Sequence, residues 1–413
     1  MLPQGLTLPS RRVWDRLRPG TASAESTAPA DIRTVIYHRL QRLYELPQER
    51  QRAPAVEGLR GIAVLLVFGV HFHALFSHYV APSSLTYHLS ALAWNIGHSG
   101  VDIFFALSGA LIYEIVLRRQ PAYGNFLVRR AQRIYPTFLA VFAMYVVLTF
   151  FDPVNHLPAG KTHAAIYLLE NALLLPGVAS IKPLISVAWS LSYEFAFYLF
   201  LPLFLYACAF HRRSAKTRVL LMCIPALALV ASDLIHSTPH KRALMFLAGM
   251  LAFEARNSTW FRSQLTRRGE LLAAILFAIS FPAIVALSAR PVGLPNIWAW
   301  PALLTLLVTD FWVVVFVTGF DGRMKRTASF FGLRWLGNIS YSFYLLHGLT
   351  LKMLATALAV AVPATEHGAL LVWAILPMGF AAAFLASTVL YAVVEKPLSL
   401  KRRTPAVVPG AVV

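Results

Sequence analysis

The sequence predicts an all-α membrane protein whose chain crosses the bilayer about ten times. Of its 413 residues, 58% are hydrophobic and 13% are charged, a balance far outside that of soluble globular domains. From Gly61 onward, apolar runs alternate with short polar connections. Many of these runs approach the roughly 20 residues that a helix needs to cross a bilayer. Composition and run length together therefore exclude a soluble protein.

Ten predicted transmembrane helices follow from the apolar runs. They cover residues 61–78, 98–117, 134–151, 190–210, 218–235, 242–255, 270–288, 297–319, 336–361 and 369–394. The sixth run is short and ends at Glu254. The connection at 152–189 contains LLENALLLPG, which indicates a further, half-buried helix that does not span the membrane.

Residues 1–55 are predicted to be a basic, partly disordered leader. Up to about Ala30 they are rich in Pro, Ser, Thr and Ala, which is typical of disorder. Ile32, Ile36, Leu40 and Leu43 then recur at helical spacing among arginines. This pattern favours either a short helix on an anionic membrane surface or a solvated leader. No cleavable signal sequence is expected, because the first apolar run begins late.

The distribution of Lys and Arg predicts the orientation. With the leader inside, 31 of these residues fall on the inner side and 5 on the outer side, while Lys352 lies within a span. Positive charge accumulates on the cytosolic side of membrane proteins. We therefore expect both termini in the cytosol, with a membrane domain at 56–398 and a tail at 399–413.

The same distribution explains the net charge of +19 without nucleic acid, because the charge follows the membrane topology. The chain has two cysteines, Cys208 and Cys223. Both lie near the predicted cytosolic side, where disulfides are rare. Two cysteines also offer no zinc site, so no metal is expected.

The stretch EGLRGIAVLLVFGVHFH carries the first candidate site residues. Arg60 and His71 are eleven positions apart, which places them on one helix face and roughly 16 Å apart along the axis. His73 points about 200° away from His71. An ionisable side chain inside a membrane indicates a functional site, although a histidine paired with a neighbouring helix explains the position too.

Two carboxylates in later spans could accompany such a histidine. Asp102 lies near the outer end of the second span, in SGVDIFFALSGALIY. There it could stabilise a protonated imidazole, or simply complement the helix dipole. Glu194 lies in the apolar run of SVAWSLSYEFAFYLFLPL, so it needs a histidine or arginine nearby.

Arginines and a second histidine complete the candidates. Arg130 and Arg133, in NFLVRRAQRIYP, are neighbours on a helix face at the predicted cytosolic boundary. Paired guanidinium groups suit phosphate recognition, although topology alone also places arginines there. His347 in GNISYSFYLLHGLTLK lies at mid-depth, so either histidine could be the base.

These segments resemble acyltransferase family three, the integral-membrane O-acyltransferases of bacteria. The resemblance is carried by EGLRGIAVLLVFGVHFH, GVDIFFALSGALI, FLVRRAQRIYP, VAWSLSYEFAFYLFLPL, HKRALMFLAGMLAFE, LGNISYSFYLLH and VVEKPL. They occur in the family's order and cover residues 56–398. Phe195 stands where many members have a second acidic residue, and Tyr193 where a small aliphatic is usual.

The resemblance implies a ten-helix fold in the bacterial inner membrane and acyl transfer from cytosolic acyl-CoA to a hydroxyl. Acetyl-CoA is the donor it favours. The acceptor would be a surface polysaccharide, an exopolysaccharide or its lipid-linked precursor, with a macrolide as the alternative. The family's patterns fall on Arg60 and His71, on Arg130 and Arg133, and on Glu194.

Mechanistically, Arg60, Arg130 and Arg133 would hold the phosphates of CoA. His71 would act as general base, with Glu194 or Asp102 orienting it. An acyl-imidazole intermediate is the rival mechanism.

A proton-coupled transporter is the alternative from another functional class. Such a protein should show an inverted repeat. We find no counterpart of the Arg-His pattern in the sixth span, so the transporter is the weaker hypothesis.

Overall fold

A computed structural model describes residues 32–44, 53–151, 157–236, 239–288, 300–362 and 368–400. These residues form helices and connecting turns, with no strand among them. The chain divides into two compact units, residues 1–43 and residues 44–413, which we describe separately.

The described part of the first unit is helical. Helix α1 spans Ile32–Tyr44, and its last residue belongs to the second unit. This helix lies within the predicted leader, whose role and position on a membrane surface stay predictions. The disorder predicted up to Ala30 and the tail from residue 401 lie outside the described residues.

The second unit contains helices α2 to α16. The first eight are α2 (Pro54–Phe76), α3 (Leu85–Gly97), α4 (Ser99–Arg119), α5 (Tyr123–Leu148), α6 (Lys161–Ala172), α7 (Ala188–Ala207), α8 (Ala215–His236) and α9 (Leu244–Asn257). The others are α10 (Thr259–Ser263), α11 (Arg267–Ser288), α12 (Trp300–Gly319), α13 (Arg323–Ala328), α14 (Phe331–Asn338), α15 (Ser340–Ala361) and α16 (Ala369–Leu390). A π-helix at Tyr391–Ser399 continues α16.

Within the described residues, seven helical runs are long and apolar enough to cross a membrane. They contain α2, the pair α3 and α4, α5, α7, α8, α15 and α16. The predicted all-α, polytopic membrane protein is thereby confirmed. The other three predicted spans fall on α9, α11 and α12, of which α9 has 14 residues. The count of ten and the cytosolic termini stay predictions.

Several helices begin earlier than the apolar runs. Helix α2 starts at Pro54, since proline is favoured in the first turn. Helix α5 starts at Tyr123 rather than near residue 134, so its three arginines belong to the helix. The apolar run reports the thickness of the hydrocarbon core, whereas a helix can continue past it into the interface.

The connection between α5 and α7 contains a short helix, α6, which includes only the first half of the predicted LLENALLLPG helix. Its twelve residues end near Ala172, and Leu174 then adopts a left-handed conformation with φ of 57°. The connection is held to α6 by Asn171, whose side-chain oxygen accepts the backbone N–H of Leu184 at 2.7 Å.

Helix α2 occupies the centre of the second unit and contacts α3, α4, α14 and α15. Its approach to α14 is close enough to require glycine on both sides. A Cβ on Gly61 would lie 2.2 Å from the carbonyl oxygen of Leu333, and one on Gly337 would lie 1.7 Å from that of Glu57. Small residues allow helix backbones to meet in membranes. This contact sets the position of Arg60, which adjoins Gly61.

Candidate active site

A cavity of about 510 Å³ lies among α2, α4, α5, α7 and α15. Its charged lining consists of five arginines and two glutamates: Arg60, Arg118, Arg119, Arg130, Arg133, Glu114 and Glu194. The lining thus has an excess of positive charge. Such a concave, cationic site suits an anionic ligand.

Arg60 is held where α2 meets the start of α15. Its Nε donates a hydrogen bond to Ser340 Oγ at 3.1 Å, and its guanidinium lies 5.3 Å from the ring centroid of Phe104. Among the described residues Arg60 forms no ion pair. Arg60 thus lines the cavity without a carboxylate at ion-pairing distance.

Arg130 and Arg133 lie on one face of α5 but have different surroundings. The guanidinium of Arg130 lies 5.3 Å from the ring centroid of Phe126 and 5.8 Å from that of Tyr198. In the described part of the chain it has no ion-pair partner. Arg133, in contrast, pairs with the fully buried Glu395 at 2.9 Å. Arg130 is therefore the less compensated of the two cations.

Glu395 lies in the VVEKPL segment, in the π-helix after α16. Its Oε2 accepts the backbone N–H of Ser342 at 3.1 Å and the Ser342 hydroxyl at 2.6 Å. Together with the ion pair to Arg133, these bonds tie the end of α16 to α5 and α15. VVEKPL therefore contributes a buried counter-charge behind the cavity, a contact that the sequence analysis missed.

Glu194 also lines the cavity. Its Oε1 accepts hydrogen bonds from the hydroxyl of Ser108 at 2.7 Å and from that of Tyr198, one turn along α7. Arg60 and Arg130 line the same cavity as the half-buried Glu194. Its spacing to Tyr198 is a helical i,i+4 pair, a signal that was available from sequence.

Asp102 lies elsewhere, in the first turn of α4. It is fully buried, and Nη1 of Arg242 lies 3.0 and 2.9 Å from its two oxygens. The same Nη1 donates to the backbone carbonyl of His98 at 3.1 Å, where α3 ends and α4 begins. Asp102 and Arg242 thus join this helix break to the segment before α9.

His71 lies beside His347 rather than beside Asp102 or Glu194. The two ring centroids are 4.9 Å apart and the rings meet edge to face at 72°. Nδ1 of the fully buried His347 is 2.9 Å from the carbonyl oxygen of Phe343. A carbonyl only accepts, so Nδ1 of His347 carries the proton and its Nε2 is the free acceptor nitrogen.

Gly348 and Tyr145 lie near Nδ1 of His71. A Cβ placed on Gly348 would lie 3.9 Å from Nδ1 of His71 and 3.9 Å from the hydroxyl oxygen of Tyr145. Both polar atoms therefore border the space that the absent side chain leaves. Tyr145 lies near the far end of α5 and was not among the predicted site residues.

Tyr344 connects the cavity to the histidine pair. It lines the cavity, and its ring centroid lies 6.2 Å from that of His347. Its hydroxyl is within 2.7 Å of Ser190 Oγ and 3.2 Å of the carbonyl oxygen of Val187. The cavity is thus bounded by Tyr344 and Ser190 next to the histidines.

No group of three potential metal ligands from His, Cys, Asp and Glu occurs within the described ranges. The polar chemistry described above comes from arginines, carboxylates, hydroxyls and two imidazoles. Imidazole is the usual proton-transfer group at neutral pH.

Comparison with known proteins identifies the family. Residues 54–392 match the sequence model of acyltransferase family three, which is described as "Acyltransferase domain". YrhL of Bacillus subtilis (strain 168) is 27% identical over 86% of this chain and 56% of its own length. The exopolysaccharide production protein ExoZ of Rhizobium meliloti (strain 1021) is 25% identical over 77% of this chain and 94% of its own.

The peptidoglycan O-acetyltransferase OatA of Listeria monocytogenes is 25% identical over 76% of this chain and 52% of its own length. The chain thus spans about half the length of YrhL and OatA, and nearly all of ExoZ. No solved structure matches it. Because the family model covers most of the residues, including every candidate site residue except Glu395, the chain belongs to acyltransferase family three.

Proposed function

We propose that this protein moves an acyl group, with acetyl the favoured one, from cytosolic acyl-CoA to a hydroxyl of a glycan. The reaction takes place in the bacterial cytoplasmic membrane. The observation that carries the proposal is the arginine-lined cavity, whose wall at Tyr344 adjoins the half-buried His71 and the buried His347. A cationic site next to a histidine base suits an anionic donor and a neutral acceptor.

The arginines bind the phosphates of the donor. Arg60 and Arg130 suit this role because neither forms an ion pair within the described residues, and each presents a planar fork of donors. Arg133 also contributes positive charge for the phosphates, but its ion pair with Glu395 compensates part of that charge. Arg118 and Arg119 line the same cavity and extend the cationic surface beyond the three predicted arginines.

His71 is the general base. It takes the proton from the acceptor hydroxyl while that oxygen attacks the thioester carbonyl carbon of the donor. When the C–S bond breaks, the imidazolium returns the proton to the departing CoA thiolate. His347 orients the ring of His71 by direct contact. In the rival mechanism the acyl group passes through an acyl-imidazole on His71.

Glu194 and Asp102 have structural and electrostatic roles in the proposed mechanism. Glu194 balances part of the positive charge of the arginines that line the same cavity. Hydrogen bonds from Ser108 and Tyr198 hold its carboxylate in place. Asp102 holds Arg242 at the break between α3 and α4. The earlier hypothesis that one of them orients His71 is replaced by the contact with His347.

The acceptor is proposed to be a surface polysaccharide, an exopolysaccharide or a lipid-linked precursor. Relatives named for peptidoglycan O-acetylation and exopolysaccharide production support this substrate class. Acylation of a macrolide stays the alternative acceptor hypothesis. Mass spectrometry of surface glycans and small-molecule products, with and without the protein, distinguishes the two by the product that loses an acyl mass.

The donor role is tested by a matched pair of variants in isolated membranes. Arg130→Gln should raise the KM for acetyl-CoA at least about tenfold, because charge-assisted bonds contribute roughly 1.5–3 kcal/mol. Arg129→Gln removes the same charge from the adjacent, exposed position and should leave KM unchanged. Equal KM values for the two variants and the wild type would overturn the phosphate role.

A further inference from the structure

A second cavity, of about 340 Å³, lies among α10, α11 and α12. We define it as the aromatic groove, with Trp260, Leu265, Ala273, Leu276, Trp312 and Phe316 in its lining. Trp260 is 71% exposed and Leu272, also in the lining, is 65% exposed. The groove therefore opens outward from the helices, where an apolar surface meets lipid in a membrane protein.

Uncompensated positive charge lies beside the aromatic groove. Arg262 belongs to α10, and Arg267 and Arg268 form the first turn of α11. All three are exposed, and none forms an ion pair within the described ranges. Cations at a helix N-terminus are opposed by the helix dipole. The acid of that turn, Glu270, is buried and accepts the backbone N–H of Met324, so an external anion would relieve the repulsion.

Helix α11 carries both the arginines and several of the residues that line the aromatic groove. Gly269, Ala273 and Leu276 line the groove and recur on one face of the helix. Arg268 lies roughly 105° from the centre of that face, whereas Arg267 lies roughly 150° from it. From Arg268 to Leu276 the helix rises about 12 Å. Along α11, a cation thus precedes the residues that line the aromatic groove.

We propose that the aromatic groove binds an anionic phospholipid. Its headgroup contacts Arg262 and Arg268, and one acyl chain lies against Trp312 and Phe316. The exposed Trp260 is placed at the boundary between these two parts, where indole side chains are enriched in membrane proteins. A water-soluble phosphate would satisfy the arginines but leave the groove empty. The combination of charge and apolar depth therefore favours a lipid.

Native mass spectrometry of the full-length protein, delipidated in detergent, tests the proposal. The protein is mixed with equal amounts of phosphatidylglycerol and phosphatidylcholine. The wild type should retain phosphatidylglycerol preferentially. Arg262→Gln with Arg268→Gln should reduce that preference about fivefold per arginine removed. Arg267→Gln, which removes the same charge from the opposite face of α11, should retain it.

Two further measurements separate a lipid site from a phosphate site and from misfolding. Glycerol phosphate at the lipid concentration should not displace the bound phosphatidylglycerol. Added phosphatidylglycerol should raise the Tm of the wild type and of Arg267→Gln, and not that of the double variant, because a ligand stabilises the state that it binds. Equal retention of the two lipids by the wild type, or displacement by glycerol phosphate, would overturn the proposal.

Discussion

At the residue scale, the two sides of His71 have different surroundings. One edge of its ring meets the ring of His347, whereas Nδ1 borders the space above Gly348 together with the hydroxyl of Tyr145. In the proposed reaction, the acceptor hydroxyl meets Nδ1 in this space. Tyr145 would then contact the acceptor, and Gly348 would keep its path open.

Gly348→Ala tests this geometry with a single methyl group. A Cβ there lies 3.9 Å from its nearest neighbours, an ordinary van der Waals distance, so the fold should persist. The acceptor should be displaced, and a misplacement of about 1 Å can lower a rate roughly 100-fold. We expect the rate of transfer to the glycan to fall while the KM for acetyl-CoA stays constant. Unchanged transfer would contradict the assigned path.

At the element scale, the contact between α2 and α14 places Arg60 at the cavity. The backbones meet at Gly61 and Gly337, where no side chain would fit. An ion pair between the buried Glu57 and the half-buried Arg334, at 3.6 Å, adds to the same interface. The position of the cavity's central arginine therefore depends on helix packing as much as on its own hydrogen bond to Ser340.

Gly337→Ala should separate these two helices. Its Cβ would lie 1.7 Å from the carbonyl oxygen of Glu57, so the backbone must move at a cost of about 1–3 kcal/mol. Thermal unfolding in detergent should show a lower Tm. Gly124→Ala is the matched control, because a Cβ there meets nothing within 4 Å, and its Tm should be equal or higher. Equal Tm values for Gly337→Ala and the wild type would contradict the close packing.

Residue positions within one helix can be predicted from the sequence, whereas contacts between distant helices cannot. The spacing of Arg60 and His71 follows from helical periodicity within one apolar run. The ion pair of Arg133 and Glu395 joins positions 262 residues apart, and no local pattern encodes it. Tyr145 also escaped prediction, because a tyrosine in an apolar span is ordinary until the neighbouring helix places Gly348 beside it.

At the scale of the whole molecule, the account depends on the orientation of the bundle in the membrane. The proposed donor cavity must open to the cytosol, where acyl-CoA resides. Arg118 and Arg119 line the cavity at the end of α4, on the side where positive charge accumulates along the chain. The positive-inside rule therefore predicts a cytosolic mouth.

Cysteine accessibility measures this orientation. With Cys208→Ser and Cys223→Ser as background, Gln120→Cys probes the exposed turn after α4 and Ser83→Cys probes the exposed turn before α3. An impermeant maleimide should label Ser83→Cys in spheroplasts with intact inner membranes. It should label Gln120→Cys only after permeabilisation. The opposite pattern would contradict the cytosolic position of the cavity.

The central claim is that His71, beside the arginine-lined cavity, catalyses acyl transfer. Transfer of radiolabelled acetyl groups from acetyl-CoA to glycan, in membranes with matched expression, tests it most directly. His71→Ala should lower the turnover number at least about 100-fold, since a positioned general base contributes that much or more. His73→Gln, on the other side of α2 and bonded to Ser90, should retain wild-type turnover. Wild-type turnover by His71→Ala would contradict the account.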